Sequence, residues 1–235
     1  MNNNILLGMA LGIIGAATCQ AANVAASTSS PITSTIVVGA GDSWEQNAGY
    51  EDFTVNTGGF LDATDSTGRF RIGVSTTGSL TIDGGAVTIG TTDTILLGNG
   101  HSTRTALIDV VSGSLTVEAG YNQFFIGRDD ATGILRIQGG TTILGGMPTF
   151  DDVAGNGSID FTSESTGSLT VAGADLAYYQ GLYAGTDLTI DGVNTAAFGD
   201  VFSVTGSTIT LVPEPSTALL GVASMGLMCL RRRRS

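Results

Sequence analysis

The chain of 235 residues has no Lys, a single His, one Trp and two Cys, and only 13% of its residues are charged. Each scarcity excludes a kind of chemistry. His101 is the only imidazole and neither Cys lies in the body, so a nucleophile paired with its base is not expected. Cys19 and Cys229 both lie in apolar terminal segments, which leaves the body between them without a disulfide and without a Cys or multi-His metal centre. All nine basic residues are Arg, and four of them form the run Arg231, Arg232, Arg233 and Arg234. Between Ser27 and Val212 there are five Arg against 20 acidic residues, a net charge of −15. Such a surface repels phosphate backbones and excludes nucleic acid as a partner.

What the chain has in quantity is Gly, 35 residues of it, with abundant Thr and Ser and an apolar fraction of 42%, enough to build a core. Thr-rich, Lys-free sequence suits strands with polar outer faces better than surface helices, so the body is expected to be all-β.

The two ends read as targeting segments. Ile5 to Ala17 is a 13-residue apolar stretch followed by small residues, with a cleavage point expected at Val24-Ala25-Ala26 before Ser27. Residues 1–26 are therefore expected to be a signal peptide with a signal helix. An uncleaved anchor is one alternative and acylation of Cys19 another. At the other end Val212-Pro213-Glu214-Pro215 precedes an apolar run, Thr217 to Leu230, and then the Arg cluster. Those 14 residues span roughly 21 Å as a helix, short of a ~30 Å hydrocarbon core unless flanking residues help. The Arg cluster should stay cytoplasmic as a stop, with the body outside. Pro213 and Pro215 disfavour helix before them and keep the connecting segment extended, as a protease groove needs.

This tail, residues 212–235, resembles the PEP-CTERM sorting signal of Gram-negative bacteria: a Pro-Glu-Pro motif, a short membrane helix and a terminal Arg cluster. The resemblance implies an exosortase-type membrane protease as partner, a membrane-anchored precursor, and final placement at the cell surface or outside the cell. The family is associated with exopolysaccharide and biofilm, which makes extracellular polysaccharide the second expected partner. The same tail is also labelled an ice-binding-protein C-terminal domain.

Residues 27–211 carry a degenerate repeat that resembles autotransporter-like solenoid bodies. Gly78-Ser79-Leu80-Thr81-Ile82, Gly113-Ser114-Leu115-Thr116-Val117, Gly133-Ile134-Leu135-Arg136-Ile137 and Gly167-Ser168-Leu169-Thr170-Val171 share one pattern, with Asp187-Leu188-Thr189-Ile190 as a weaker copy. The Leu positions are 35, 20, 34 and 19 residues apart, which reads as a unit of about 17 to 20 residues, sometimes unmarked. Apolar pairs closed by Gly, such as Ile72-Gly73, Leu97-Gly98 and Ile126-Gly127, lie between the copies. Alternation sends Leu80 and Ile82 inward and predicts one outward column of Thr81, Thr116, Arg136, Thr170 and Thr189. The fold expected is a right-handed parallel β-solenoid from about Ile36 to Val204. Its competitor is an antiparallel β-sandwich or meander, because Thr81 to Thr88 also reads as a hairpin around Asp83-Gly84-Gly85. Ile32 to Phe60, with Trp44, Tyr50 and Phe53, is expected to cap the first coil, and Phe198 to Val212 to close the last with a strand pair.

Candidates for chemistry are few. Arg128-Asp129-Asp130 is the one cluster compatible with a polysaccharide lyase, and the pairs Glu51-Asp52, Asp129-Asp130 and Asp151-Asp152, with Asp62 and Asp65, are the carboxylates a glycosidase or a calcium site could use. The Gly-Gly-x-Gly-x-Asp calcium nonapeptide is absent, and His101 reads as a turn residue. No catalytic, cofactor or metal residue is assigned. The function expected is a non-catalytic exported surface or matrix protein; a solenoid carbohydrate enzyme and an ice-binding protein are the alternatives. Arg136 counts against ice binding, since it interrupts the predicted Thr column.

Overall fold

The computed structural model describes residues 22–46, 51–74, 76–90, 93–121, 123–150 and 156–212. The greater part of the expected signal segment lies outside these residues, as do Tyr50, Asp151, Asp152, Pro213, Glu214, Pro215 and the stop Arg231 to Arg234. No helix among the described residues is long and apolar enough to cross a membrane.

The chain winds as a parallel β-solenoid of about five turns. Strand β1 (Thr35–Val37) opens it. The first full coil is β2 (Trp44–Glu45), β3 (Asp52–Asn56) and β4 (Phe60–Ala63), and the next two are β5 (Phe70–Ile72) with β6 (Gly78–Ile89) and β7 (Thr94–Leu97) with β8 (Thr105–Val117). The fourth is β9 (Gln123–Ile126), β10 (Thr132–Ile137) and β11 (Thr141–Leu144), and the fifth β12 (Thr149–Phe150), β13 (Gly157–Phe161) and β14 (Ser168–Val171). The short leading strands β2, β5, β7, β9 and β12 form a five-stranded parallel sheet. The remaining strand of each coil has two arms, continuous in β6 and β8 and split elsewhere, and these stack in parallel as the body of a twelve-stranded sheet that is antiparallel only at its carboxy-terminal edge.

Alternation builds the core. The first arm stacks Phe53, Leu80, Ile108, Leu135, Ile159 and Leu188 inward, and the second stacks Leu61, Val87, Leu115, Thr142, Leu169 and Ile209. The leading strands add Trp44, Phe70, Ile95 and Phe124. All of these are buried. The supposed hairpin Thr81 to Thr88 is instead a bend inside β6: the register slips between Ile82 and Ala86, where Gly84 has φ +81°. The slip moves the inward phase from Leu80 and Ile82 to Val87 and Ile89, so both arms bury their apolar side. At the same corner in the next coil a Cβ on Gly113 would lie 2.1 Å from the Gly85 carbonyl oxygen, a separation only glycine permits.

Register corrects the repeat length. Leu80 pairs with Ile108 and Ile108 with Leu135, steps of 28 and 27 residues, and the second arm steps Leu115 to Thr142 to Leu169 by 27 each. The sequence motif marks the first arm at Leu80, Leu135 and Leu188 and the second at Leu115 and Leu169. Unequal spacings of 35 and 20 residues are thus two coils, 55 residues, cut at different arms. The rungs between carry the same inward pattern with part of the motif changed, as in Ala106-Leu107-Ile108-Asp109-Val110, which lacks the Gly-Ser lead, and Gly157-Ser158-Ile159-Asp160-Phe161, which keeps it but has Ile for Leu.

The ends also differ from expectation in one respect. Ile32 to Phe60 is no cap: Trp44 and Phe53 lie inside the first coil, ring centroids 5.0 Å apart, and the segment contributes β1 to β3. The amino-terminal edge is completed by residues 22–32, through the bridges Asn23 to Ser43 and Ile32 to Val55, with Ala25 fully buried. At the other end helix α1 (Leu176–Gly185), β15 (Leu188–Ile190) and helix α2 (Phe198–Val201) precede a hairpin of β16 (Phe202–Thr205) and β17 (Thr208–Leu211). Asp175 caps α1 by accepting from the Tyr178 amide at 2.9 Å. Strands β16 and β17 are the strand pair expected over Phe198 to Val212, and β17 runs antiparallel to β14.

Candidate functional site

Arg128, Asp129 and Asp130 follow β9 on an exposed turn whose two Asp residues have φ of 52° and 68°. The Arg128 guanidinium carbon lies 4.6 Å from the Phe125 ring centroid, and its Nε is 3.6 Å from an Asp129 carboxylate oxygen. The cation is therefore held by its own turn rather than aimed across a groove. The other carboxylates are dispersed. Asp52 accepts from the Ser79 hydroxyl at 2.7 Å, Asp62 accepts from the Thr64 amide and hydroxyl, and His101 lies exposed on the turn before Arg104. Among the described residues no three His, Cys, Asp or Glu side chains gather as a metal site would require.

The predicted outward column separates into two. On the first arm Thr81, Asp109, Arg136, Asp160 and Thr189 stack in register. Strand spacing sets Asp109 and Asp160 about 9.6 Å apart, with the Arg136 row between them. Arg136 Nε is 3.4 Å from Asp160, whose carboxylate also accepts from the Thr189 hydroxyl and the Gly192 amide, each at 2.8 Å. Gln138 donates to both Asp109 oxygens at 2.9 Å. Asp160 is only 4% exposed, and such a carboxylate is tolerable in this position because three donors surround it. An open depression of about 500 Å³ lies over Arg136, Gln138, Ser158, Asp160 and Asp191.

The second arm presents a different surface. Ala86, Ser114, Thr141, Ser168 and Thr210 form one outward column, and Thr88, Thr116, Ile143, Thr170 and Thr208 the next. Eight of these ten positions carry a hydroxyl and none is ionisable; at the amino-terminal end the two columns continue into Phe60 and Asp62 of β4. Arg136 stands on the other arm and does not interrupt these rows, so its weight against a regular hydroxyl face is removed. Ile143 is 40% exposed near the middle, and the hydroxyls of Thr170 and Thr208 bond one another at 2.7 Å.

No family profile, curated protein or solved structure matches this chain. Its surfaces must be read from their own chemistry.

The five body cations show how committed its charges are. Arg69 lies 3.4 Å from Asp93 and Arg71 3.6 Å from Glu45, and Arg128 and Arg136 have the partners already given. Arg104 donates to the carbonyl oxygens of Val74 and Asn99. Burial lowers the Arg71 pKa while Glu45 opposes the shift. Sequence reasoning missed the Arg136–Asp160 pair and the hydroxyl face for one reason: it stacked copies from different arms on one another. The signal was present in the sums of alternate Leu spacings, 55, 54 and 53 residues, which give the two-coil period directly.

Proposed function

We propose that this is an exported, non-catalytic surface or extracellular-matrix protein, sorted through its Val212-Pro213-Glu214-Pro215 motif and Arg231 to Arg234 by an exosortase-type protease and associated with extracellular polysaccharide. The single observation that carries the non-catalytic reading is the second-arm face from Ala86 onward, ten outward positions in continuous rows without one ionisable group, with the half-buried Asp62 of β4 adjoining them only at the amino-terminal end. It is a surface for contact, with neither acid nor base for chemistry. The capture of Arg128 by Asp129 and Phe125 supports the same reading over a lyase. The coil is taken as right-handed, the hand that parallel strand crossovers adopt almost without exception. The Val212 amide donates to the Val201 carbonyl, so the Pro-Glu-Pro motif follows directly on the closing hairpin.

The test is intact-mass spectrometry of envelope and medium fractions from cells with and without an active exosortase. Loss of the tail near Pro213 to Pro215 and outward release are expected only in the first strain, and Pro213→Ala with Pro215→Ala should leave a larger, membrane-retained form. An intact Arg tail in the inner membrane of both strains would overturn the sorting reading. The same masses report the mature amino terminus. Cleavage before Ser27 would remove Asn23, whose amide donates to the Glu45 carbonyl at 2.8 Å, and the buried Ala25.

Ice binding is a second reading, drawn from the same face, because two outward positions per coil carry hydroxyl or methyl groups in register. Thermal hysteresis in the purified protein would support it.

A further inference from the structure

We infer that the second-arm hydroxyl face is the docking surface for polysaccharide and that the polysaccharide it takes is a neutral, extended polymer. The inference rests on the polysaccharide association proposed above and adds which surface meets the polymer and of what charge.

Charge decides the class. A uronate-bearing or sulfated polymer approaching a body of net charge −15 needs cations to hold it. The body has five, and each already faces a carboxylate or a backbone carbonyl. Breaking such a pair to bind an anion would leave its carboxylate uncompensated, worst of all at the buried Asp160. The ten second-arm positions from Ala86 onward carry no charge of either sign, and Asp62, which continues the Thr88 column at its amino-terminal end, is already bonded by the Thr64 amide and hydroxyl, so a neutral polymer can lie along the ten positions without repulsion and without desolvating an ion.

Spacing decides the form. Rows repeat at about 4.8 Å along the solenoid axis, comparable with the advance of one sugar ring along an extended chain. One hydroxyl–hydroxyl bond gained against water contributes little, about 1 kcal/mol, so a short free sugar would be held weakly. A polymer laid along the rows makes successive contacts as intramolecular events and gains by their number. Ile143, exposed within one column between Thr116 and Thr170, offers an apolar spot for the C–H face of a ring.

Other occupants fit less well. A second copy would meet this face over a strip of roughly 300 Å², below the roughly 800 Å² per partner of a stable interface. Ice requires the rows to be uniform, whereas Ile143 interrupts one column and Thr170 and Thr208 spend their hydroxyls on one another.

The experiment takes the protein at its natural length from whichever cell fraction holds it and measures co-sedimentation with cellulose, an insoluble β-1,3-glucan and the neutral fraction of the producing cells' own matrix. Polygalacturonate gel is the acidic comparison. Retention on at least one neutral polymer is expected, changing less than about twofold between about 0.05 and about 0.5 M NaCl, where an ionic contact would weaken strongly. Thr116→Arg with Ile143→Arg should lower retention roughly tenfold or more while keeping the wild-type melting temperature, and Thr81→Arg on the other arm should leave it unchanged. Retention on polygalacturonate alone, full retention by the double variant, ice shaping without glucan retention, or no retention on any neutral polymer would each overturn the inference. Normal tail processing alongside such a failure would leave the sorting reading standing. Glucan retention by a protein whose tail is never removed would do the reverse.

Discussion

Thr142 occupies a rung where its column otherwise buries Leu61, Val87, Leu115 and Leu169. It is fully buried, and its hydroxyl has no hydrogen-bond partner among the described residues. Valine has nearly the same shape without the oxygen. Thr142→Val is therefore expected to stabilise the protein by about 1–2 kcal/mol, read as a higher denaturant midpoint at unchanged slope. A lower midpoint would mean that the oxygen bonds an internal water. Asp160 is the opposite case, a buried polar residue fully engaged by Arg136, Thr189 and Gly192. Nothing in Ser158-Ile159-Asp160-Phe161 marks that difference, because the three donors come from neighbouring coils.

Among the elements, the closing helix has the sharpest consequence. The Tyr179 hydroxyl donates to the Ser207 carbonyl at 2.7 Å and so ties α1 to the β16–β17 hairpin. Burial pushes its pKa up to about 12, and burial, with Tyr179 beside it, pushes Tyr178 higher still. An unfolded Tyr ionises near pH 10, so between about pH 10 and about pH 12 the unfolded state has released protons that the folded state keeps. Stability should be insensitive to these groups below pH 10 and fall above it, by up to about 3 kcal/mol for Tyr179 alone. Urea unfolding at pH 8 and at about pH 11.5 measures this. The loss should shrink in Tyr178→Phe/Tyr179→Phe, and an identical loss there would assign it elsewhere. The elements themselves were legible from Leu-Thr-Ile alternation and Gly punctuation, which fix what each strand buries. Their assignment to arms was not, since Val87 and Ile108 fill rungs as well as a Gly-Ser-Leu copy does and carry no mark. Helix α1 was also unread: Leu176 to Gly185 has two Gly, lacks an apolar stripe and shows only Tyr179 fully buried, so helical periodicity is missing from its sequence.

For the whole molecule, stability accrues by stacking, and the ends matter because a parallel edge left open is a template for another chain. Strand β17 covers β14 in antiparallel register, and Tyr183, Phe198 and Phe202 pack edge-on or tilted over Phe161 of the last coil and on one another. Ending the chain after Ile190 removes that cover. Oligomers or aggregates are expected by size-exclusion chromatography, and a monomer with unchanged thermal stability would show that the hairpin is dispensable. The solenoid architecture was readable from the repeat at this scale, whereas the charge arrangement was not: the Arg–carboxylate pairs at Arg69, Arg71 and Arg136 all join different coils.

The glycine corner at Gly85 and Gly113 lets one coil follow another at the same pitch without reference to the coils beyond. Duplication or loss of one interior coil, about 27 residues of coding sequence, would lengthen or shorten the body by about 4.8 Å and one hydroxyl row while leaving both closures intact. Reach is thus heritable in discrete steps, and descendants of this gene can differ in span while sharing every packing rule.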